Sequence, residues 1–145
     1  MAIGVIWGEI WNAAIWNTAI WAQEAANDTT PDQFTFTDQS GAALSSTITS
    51  AAITVTGIDA AATITVAGGT YDINGSGSFV STSGTVSNGD TVRARHTSSA
   101  SYSTATNTVV TIGGVSDTFT SITIPDPAAT ARSGGLSVRI GLALS

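Results

Sequence analysis

The chain has 145 residues, no cysteine, ten acids against four arginines and no lysine, a single histidine and a formal net charge of −6 at pH 7. That length suits one domain with appendages. The charge argues against a binder of phosphate backbones, and the absence of cysteine removes disulfides, thiolate metal sites and cysteine nucleophiles. A hydrophobic content of 42% does not fit disorder, and 24 Thr, 18 Ser and 15 Gly point to a β-rich protein that reads poorly as an enzyme. Five zones follow along the chain: 1–26, rich in tryptophan; 27–32, a linker; 33–125, a sandwich; 126–135, a second linker; and 136–145, a terminal strand.

Residues 6–23, IWGEIWNAAIWNTAIWAQ, repeat Ile-Trp at Ile6-Trp7, Ile10-Trp11, Ile15-Trp16 and Ile20-Trp21. The last three pairs recur every five residues, which matches neither the helical period of 3.6 nor the strand period of 2. A helix of this sequence would be apolar nearly all round and would need complete burial. Each Trp buries roughly 150–250 Å² when covered, so one short chain cannot cover four of them, and an exposed patch of that size signals association. Glu9, Asn12 and Asn17 interrupt the stretch and no basic residue flanks it, which argues against a membrane span or a signal peptide. The segment resembles short Trp-repeat N-termini of tailed-phage virion proteins. That resemblance implies an anchoring or oligomerisation role, with three chains wrapped about a common axis as in phage fibre stems.

The turn formers of NDTTPDQ and the restricted residue before Pro31 predict a hinge-like linker over 27–32. Beyond it the period-2 signal is clear. QFTFTD puts Phe34 and Phe36 on one face, and AAITVTG alternates Ile53 and Val55 with threonines. ATITVAGG alternates Ile64 and Val66, and GTYDING pairs Tyr71 with Ile73 before an Asn-Gly hairpin signal at 74–75. Short pieces follow around Phe79 and Val86, with a second Asn-Gly at 88–89. DTVRARHTS then alternates Val92, Ala94 and His96 against Arg93 and Arg95, and TNTVVTIGG and SDTFTSITIP complete about eight strands. Turns every 8–12 residues and one wet face per strand predict an all-β, antiparallel β-sandwich.

Residues 33–125 resemble the immunoglobulin-like modules of tailed-phage virion proteins and bacterial surface proteins. The likeness is carried by FTFTD at 34–38, ITVTGID at 53–59, ITVAGGTYDINGSG at 64–77, GTVSNGDTVRARHTSSASYST at 84–104 and TIGGVSDTF at 111–119. It implies an immunoglobulin-like, non-catalytic display or spacer module. The Cys…Trp…Cys core of antibody domains is absent, so antigen-type binding does not carry over.

At the end of the chain, Leu136, Val138, Ile140, Leu142 and Leu144 occupy one phase without a break. Such a strand has one apolar face and needs a sheet edge, in a neighbouring subunit or elsewhere, to avoid aggregation.

Candidate chemistry is sparse. His96 shares the phase of Val92 and Ala94 and reads as a partly buried structural side chain. Arg93 and Arg95 share the opposite face, where they could meet a host-surface acid but read first as a solvated strand face. Asp59, Asp72, Asn74, Asp90 and Asp117 lie beside turns, which suits capping better than Ca²⁺, because no DxDxDG-like cluster appears. The Gly pairs of AGGT (67–70) and IGGV (112–115) read as hairpin turns. Tyr71, Phe79 and Tyr102 could form a shallow glycan surface, with Phe79 better placed in the core and Tyr102 in an exposed loop. The sequence thus predicts no catalytic, metal or cofactor site. It predicts assembly residues at both termini and weak surface binding at Tyr102, Arg93 and Arg95. The function expected is a non-enzymatic structural protein of a tailed-phage virion, in tail tip, fibre or baseplate first, with capsid decoration as the other location. Its partners would be itself and other virion proteins, with host-surface glycan as a further contact, and neither nucleic acid nor membrane. The alternative is a secreted or surface bacterial carbohydrate-binding module.

Overall fold

The computed structural model describes residues 27–132, so the Trp repeat at 1–26 and the strand expected at 136–145 lie outside the described residues. The fold is all-β, as the alternation predicts. Among the described residues nine strands form: β1 (Gln39–Ala42), β2 (Thr47–Thr49), β3 (Ile53–Thr54), β4 (Ala62–Ala67), β5 (Thr70–Ile73), β6 (Gly84–Val86), β7 (Thr91–Thr97), β8 (Ala105–Ile112) and β9 (Val115–Thr123). The first sheet runs β1-β9-β8-β4-β6. In the second, β7 is central. β2 pairs with residues 95–97 and β3 with 91–92, while β5 pairs with 92–95. Since β5 overlaps both, it takes one edge of β7, and β2 and β3 follow each other along the other.

The expected purely antiparallel arrangement is corrected at one place: β1 pairs with β9 in parallel, so the first sheet is mixed. The pairing brings the first described strand beside the last described one, which strand alternation does not encode. Two further strand expectations shift. Phe34 and Phe36 are buried on one face as predicted, but residues 33–38 make no ladder. Carboxylates replace the backbone partners there: the Phe36 N–H donates to Asp117 Oδ2 at 2.6 Å, and the Thr120 N–H to Asp38 Oδ1 at 2.7 Å. The strand expected over 51–57 shortens to β3. It is parted from β2 at Ser50, whose N–H donates to the Ala94 carbonyl while its Oγ accepts from the Ala94 N–H. One side chain thus continues the ladder across a break in the main chain.

The turns divide in the same way. Asn74 and Gly75 both take positive φ, 54° and 65°, the geometry of a type I′ turn. The chain then returns antiparallel to β5, with Tyr71 bridging Val80. Gly113-Gly114 closes the β8–β9 hairpin as expected. Gly68-Gly69 does not make a hairpin: β4 lies in one sheet and β5 in the other, so the pair turns the corner between them. A Cβ at Gly69 would sit 2.5 Å from the Arg95 carbonyl and collide with the Thr108 hydroxyl. The second Asn-Gly, at 88–89, likewise joins strands of different sheets.

Between the sheets lies one core of Phe34, Phe36, Val55, Ile58, Ala62, Ile64, Tyr71, Val86, Val92, Ala94, Val110, Ile112 and Phe119. The 27–32 stretch, expected as a linker, lies against this body. Asp59 and Ala60 donate backbone N–H groups to the Asp28 carbonyl, Asp32 donates to the Thr56 carbonyl, and Pro31 is buried. Residues 127–132, within the second expected linker, form a short helical turn.

Candidate functional site

His96 sits on β7 with its side chain directed between the sheets, where the alternation of Val92 and Ala94 places it. Its ring stacks on Phe119 with centroids 5.0 Å apart. Nδ1 lies 2.8 Å from Thr108 Oγ1 on β8, and Nε2 lies 2.7 Å from Ser121 Oγ on β9. The Thr108 hydroxyl donates to the Gly68 carbonyl at 3.2 Å. With its proton spent there, Thr108 accepts from His96 Nδ1–H, and Nε2 is left to accept from the Ser121 hydroxyl. Burial pushes the imidazole below its ordinary value, which keeps the neutral ring that this pattern requires.

A serine hydroxyl donating to a histidine is the first half of a nucleophile–base pair. Here Ser121 and Thr108 are fully buried, and the Phe119 ring covers the imidazole. The histidine's other nitrogen meets a threonine instead of a carboxylate. The arrangement ties β7 of one sheet to β8 and β9 of the other. Ser98 and Thr123 extend it: Ser98 Oγ donates to the Ala43 carbonyl and Thr123 Oγ1 to the Ser101 carbonyl. Sequence reasoning placed His96 correctly but missed every partner. The signal was available in phase, because Thr108 shares the inward phase of Val110 and Ile112, and Ser121 that of Phe119.

The outward face of β7 carries the two arginines. Asp72 on β5 stands directly opposite Arg93. Burial opposes ionisation of Asp72, but hydrogen bonds from Ser76 Oγ, at 2.5 Å, and from the Arg93 guanidinium outweigh it and hold the carboxyl below its usual range. Arg93 is therefore paired, although 32% of its side chain stays exposed on the solvated strand face expected. Asp72 combines the turn-capping role expected, accepting from Ser76 Oγ and the Gly77 N–H, with the ion pair to Arg93. Arg95 instead lies over the Phe79 ring, with its guanidinium carbon 3.7 Å from the centroid. Phe79 is half-buried on this outer face, so its expected place in the core is corrected; the chain around the Asn74-Gly75 turn carries it over the strand surface.

The three aromatics considered for glycans do not share a face. Tyr71 is buried and donates its hydroxyl to the Thr82 carbonyl, Phe79 is held under Arg95, and Tyr102 is 40% exposed in the loop between β7 and β8. The other turn-side acids act as caps. Asp90 accepts from Asn74 Nδ2 and from the Ser87 N–H, which lower its pKa, and Asp59 accepts from the Asp28 N–H. Among the described residues no three His, Asp or Glu side chains gather to hold a metal.

One polar cleft of about 470 Å³ opens where the Gly68-Gly69 corner leaves the end of β7, with Thr47, Thr70, Arg95, His96 and Thr97 around it. Comparison of the chain with family models, curated proteins and solved structures finds no match in any of the three.

Proposed function

We propose that this chain is a non-enzymatic structural protein of a tailed-phage virion, in which an immunoglobulin-like sandwich is held in an oligomeric assembly by segments at both termini. The observation that carries this reading is where the chain enters and leaves the sandwich. Thr29 packs against Gly113, at the β8–β9 turn. Ile124 leaves at the far end of β9, where its N–H donates to the Ala42 carbonyl and its carbonyl accepts from the Ser103 N–H. At roughly 3.4 Å per residue, the length of β9 puts these points about 27 Å apart. A module threaded from end to end suits a strut or spacer between two anchoring points.

The strand pairing supports the immunoglobulin-like part of the proposal. β2 and β3 pair with β7 in one sheet, while β4, β8 and β9 neighbour one another in the other, with β1 alongside β9. These are the partnerships expected of B with E and of C, F and G. The departure is in the middle, where the chain visits β5 in the second sheet before returning to β6 in the first. The Ser121 hydroxyl that pairs with His96 is fully buried, which supports a non-catalytic role.

Mass spectrometry and immunogold labelling of purified virions test the proposal. The account expects the protein in the particle in fixed copy number, at the tail. Its absence from particles, with the protein recovered from the medium or the bacterial surface, would replace this reading with the carbohydrate-binding module.

A further inference from the structure

We infer that the cleft at the Gly68-Gly69 corner binds a saccharide carrying a carboxylate, a hexuronate-type sugar, with Arg95 as the group that meets its charge. The inference deepens the display role proposed above and depends on it only for where such a sugar would be encountered.

Three features of the cleft converge. The first is charge. Arg93 is spent on Asp72, but Arg95 makes no ion pair among the described residues, and no carboxylate lines the cleft. Its guanidinium is held over Phe79, so the side chain is already ordered. A planar guanidinium suits bidentate recognition of a carboxylate.

The second is an interrupted strand edge. The Ala94 carbonyl accepts from Ser50 and the Ser98 N–H donates to Ser46, so the even-numbered residues of β7 turn their backbone groups toward β2 and β3. The odd-numbered residues turn toward β5, as the Thr91 carbonyl does in accepting from Asn74. β5 pairing stops at Thr70 opposite Arg95. The N–H and C=O of Thr97 therefore face the cleft with no strand residue opposite among the described residues. A single residue of free edge is too short to add a peptide strand, but it offers one donor and one acceptor to a ligand.

The third is the lining. Thr47 and Thr97 are exposed, so their hydroxyls can each donate and accept, while the half-buried Thr70, whose hydroxyl donates to the Arg95 carbonyl at 3.3 Å, can still accept. Ring hydroxyls of a sugar require that mixed character, and the volume falls within the range of small-molecule sites. The chain's net charge of −6 disfavours a polyanion, which leaves a singly charged carboxylate as the better match.

Saturation-transfer NMR on the full-length protein tests this, with D-glucuronate and D-galacturonate as probes and D-glucose and acetate as comparators. Both uronates should receive saturation, and neither comparator should displace them at equal concentration. Arg95→Gln should weaken uronate binding at least tenfold with the β-sheet circular dichroism retained, while Arg132→Gln, on the helical turn, should leave it unchanged. Thr47→Leu, which narrows the cleft and keeps the arginine, should also weaken binding and carries the test if Arg95→Gln does not fold. No saturation of either uronate, equal saturation of glucose, displacement by acetate alone, or unchanged binding in both cleft variants would overturn the inference. Because virion membership is measured on particles, a negative titration with the protein present in virions removes this inference and leaves the structural role standing.

Discussion

The interior of the sandwich has two unlike ends. Toward the β8–β9 turn it is apolar, built from Ile64, Val86, Val92, Val110 and Ile112. Toward the β7–β8 loop, β7 with the residue that follows it, β8 and β9 supply His96, Ser98, Thr108, Ser121 and Thr123, all buried. The first end is stabilised by removal of apolar surface from water, at about 25 cal/mol/Å². The second gains little from burial itself and depends on every polar group finding its partner, because an unmatched buried hydroxyl or imidazole costs about 1–3 kcal/mol. The lesson is that a chain so rich in threonine and serine can close a sandwich with hydroxyls, provided the register sets them opposite one another. Such an end is specific in pairing and intolerant of partial loss.

The largest effect should come where the two ends meet. Phe119→Ala removes a fully buried ring that packs against Phe36 and covers His96. Chemical denaturation should show a loss of about 3–5 kcal/mol. His96→Ala should follow, at about 2–4 kcal/mol, since it strands the Ser121 hydroxyl, takes away the donor to Thr108 and leaves a cavity beside Phe119. Thr108→Val keeps the shape and deletes one hydroxyl, leaving His96 Nδ1–H and the Gly68 carbonyl unmatched, for about 1–3 kcal/mol. On the outer face of the first sheet, Thr65→Val should change stability by less than about 0.5 kcal/mol. If Thr108→Val proved as mild as Thr65→Val, the hydroxyl end would not be the pairing-dependent structure described.

Acid separates the two faces of β7. The His96 imidazole titrates lower in the folded chain than in the unfolded one, so the unfolded state takes up the proton first. Stability should be full above about pH 6.5, the ordinary imidazole value, and should decline as pH falls below it. His96→Leu should flatten that decline in urea titrations across pH. Asp72 and Asp90 are also lowered, but from a carboxylate value. Their contribution is present above about pH 4 and is lost below it, so Asp72→Asn should reduce only this second, more acidic decline.

The apolar end was legible in the sequence because Ile64, Val66, Val92 and Ala94 stand out against their polar neighbours. The hydroxyl end was not: Thr108 and Ser121 look like every other outward threonine and serine, and they lie 12 and 25 residues from His96. Only the inward phase of Val110 and Phe119, extended two residues along each strand, would have marked them. β1 and β2, QSGA and TIT, carry too little apolar contrast to register as strands. The Asp72–Arg93 pair depends on the register of β5 against β7, which no local pattern supplies. The cleft was beyond reach for a related reason: it exists because Gly68-Gly69 turns between sheets, whereas a Gly pair between two alternating runs reads as a hairpin.

The proposed role requires residues 27–132 to be a self-sufficient sandwich and the terminal segments to provide assembly. Light scattering with circular dichroism on the full chain and on residues 27–132 tests it most directly. The shorter protein should be a folded, β-rich monomer, and the full chain should show a mass well above its own 14.6 kDa. An unfolded short form, or a full-length chain that stays monomeric, would contradict the account.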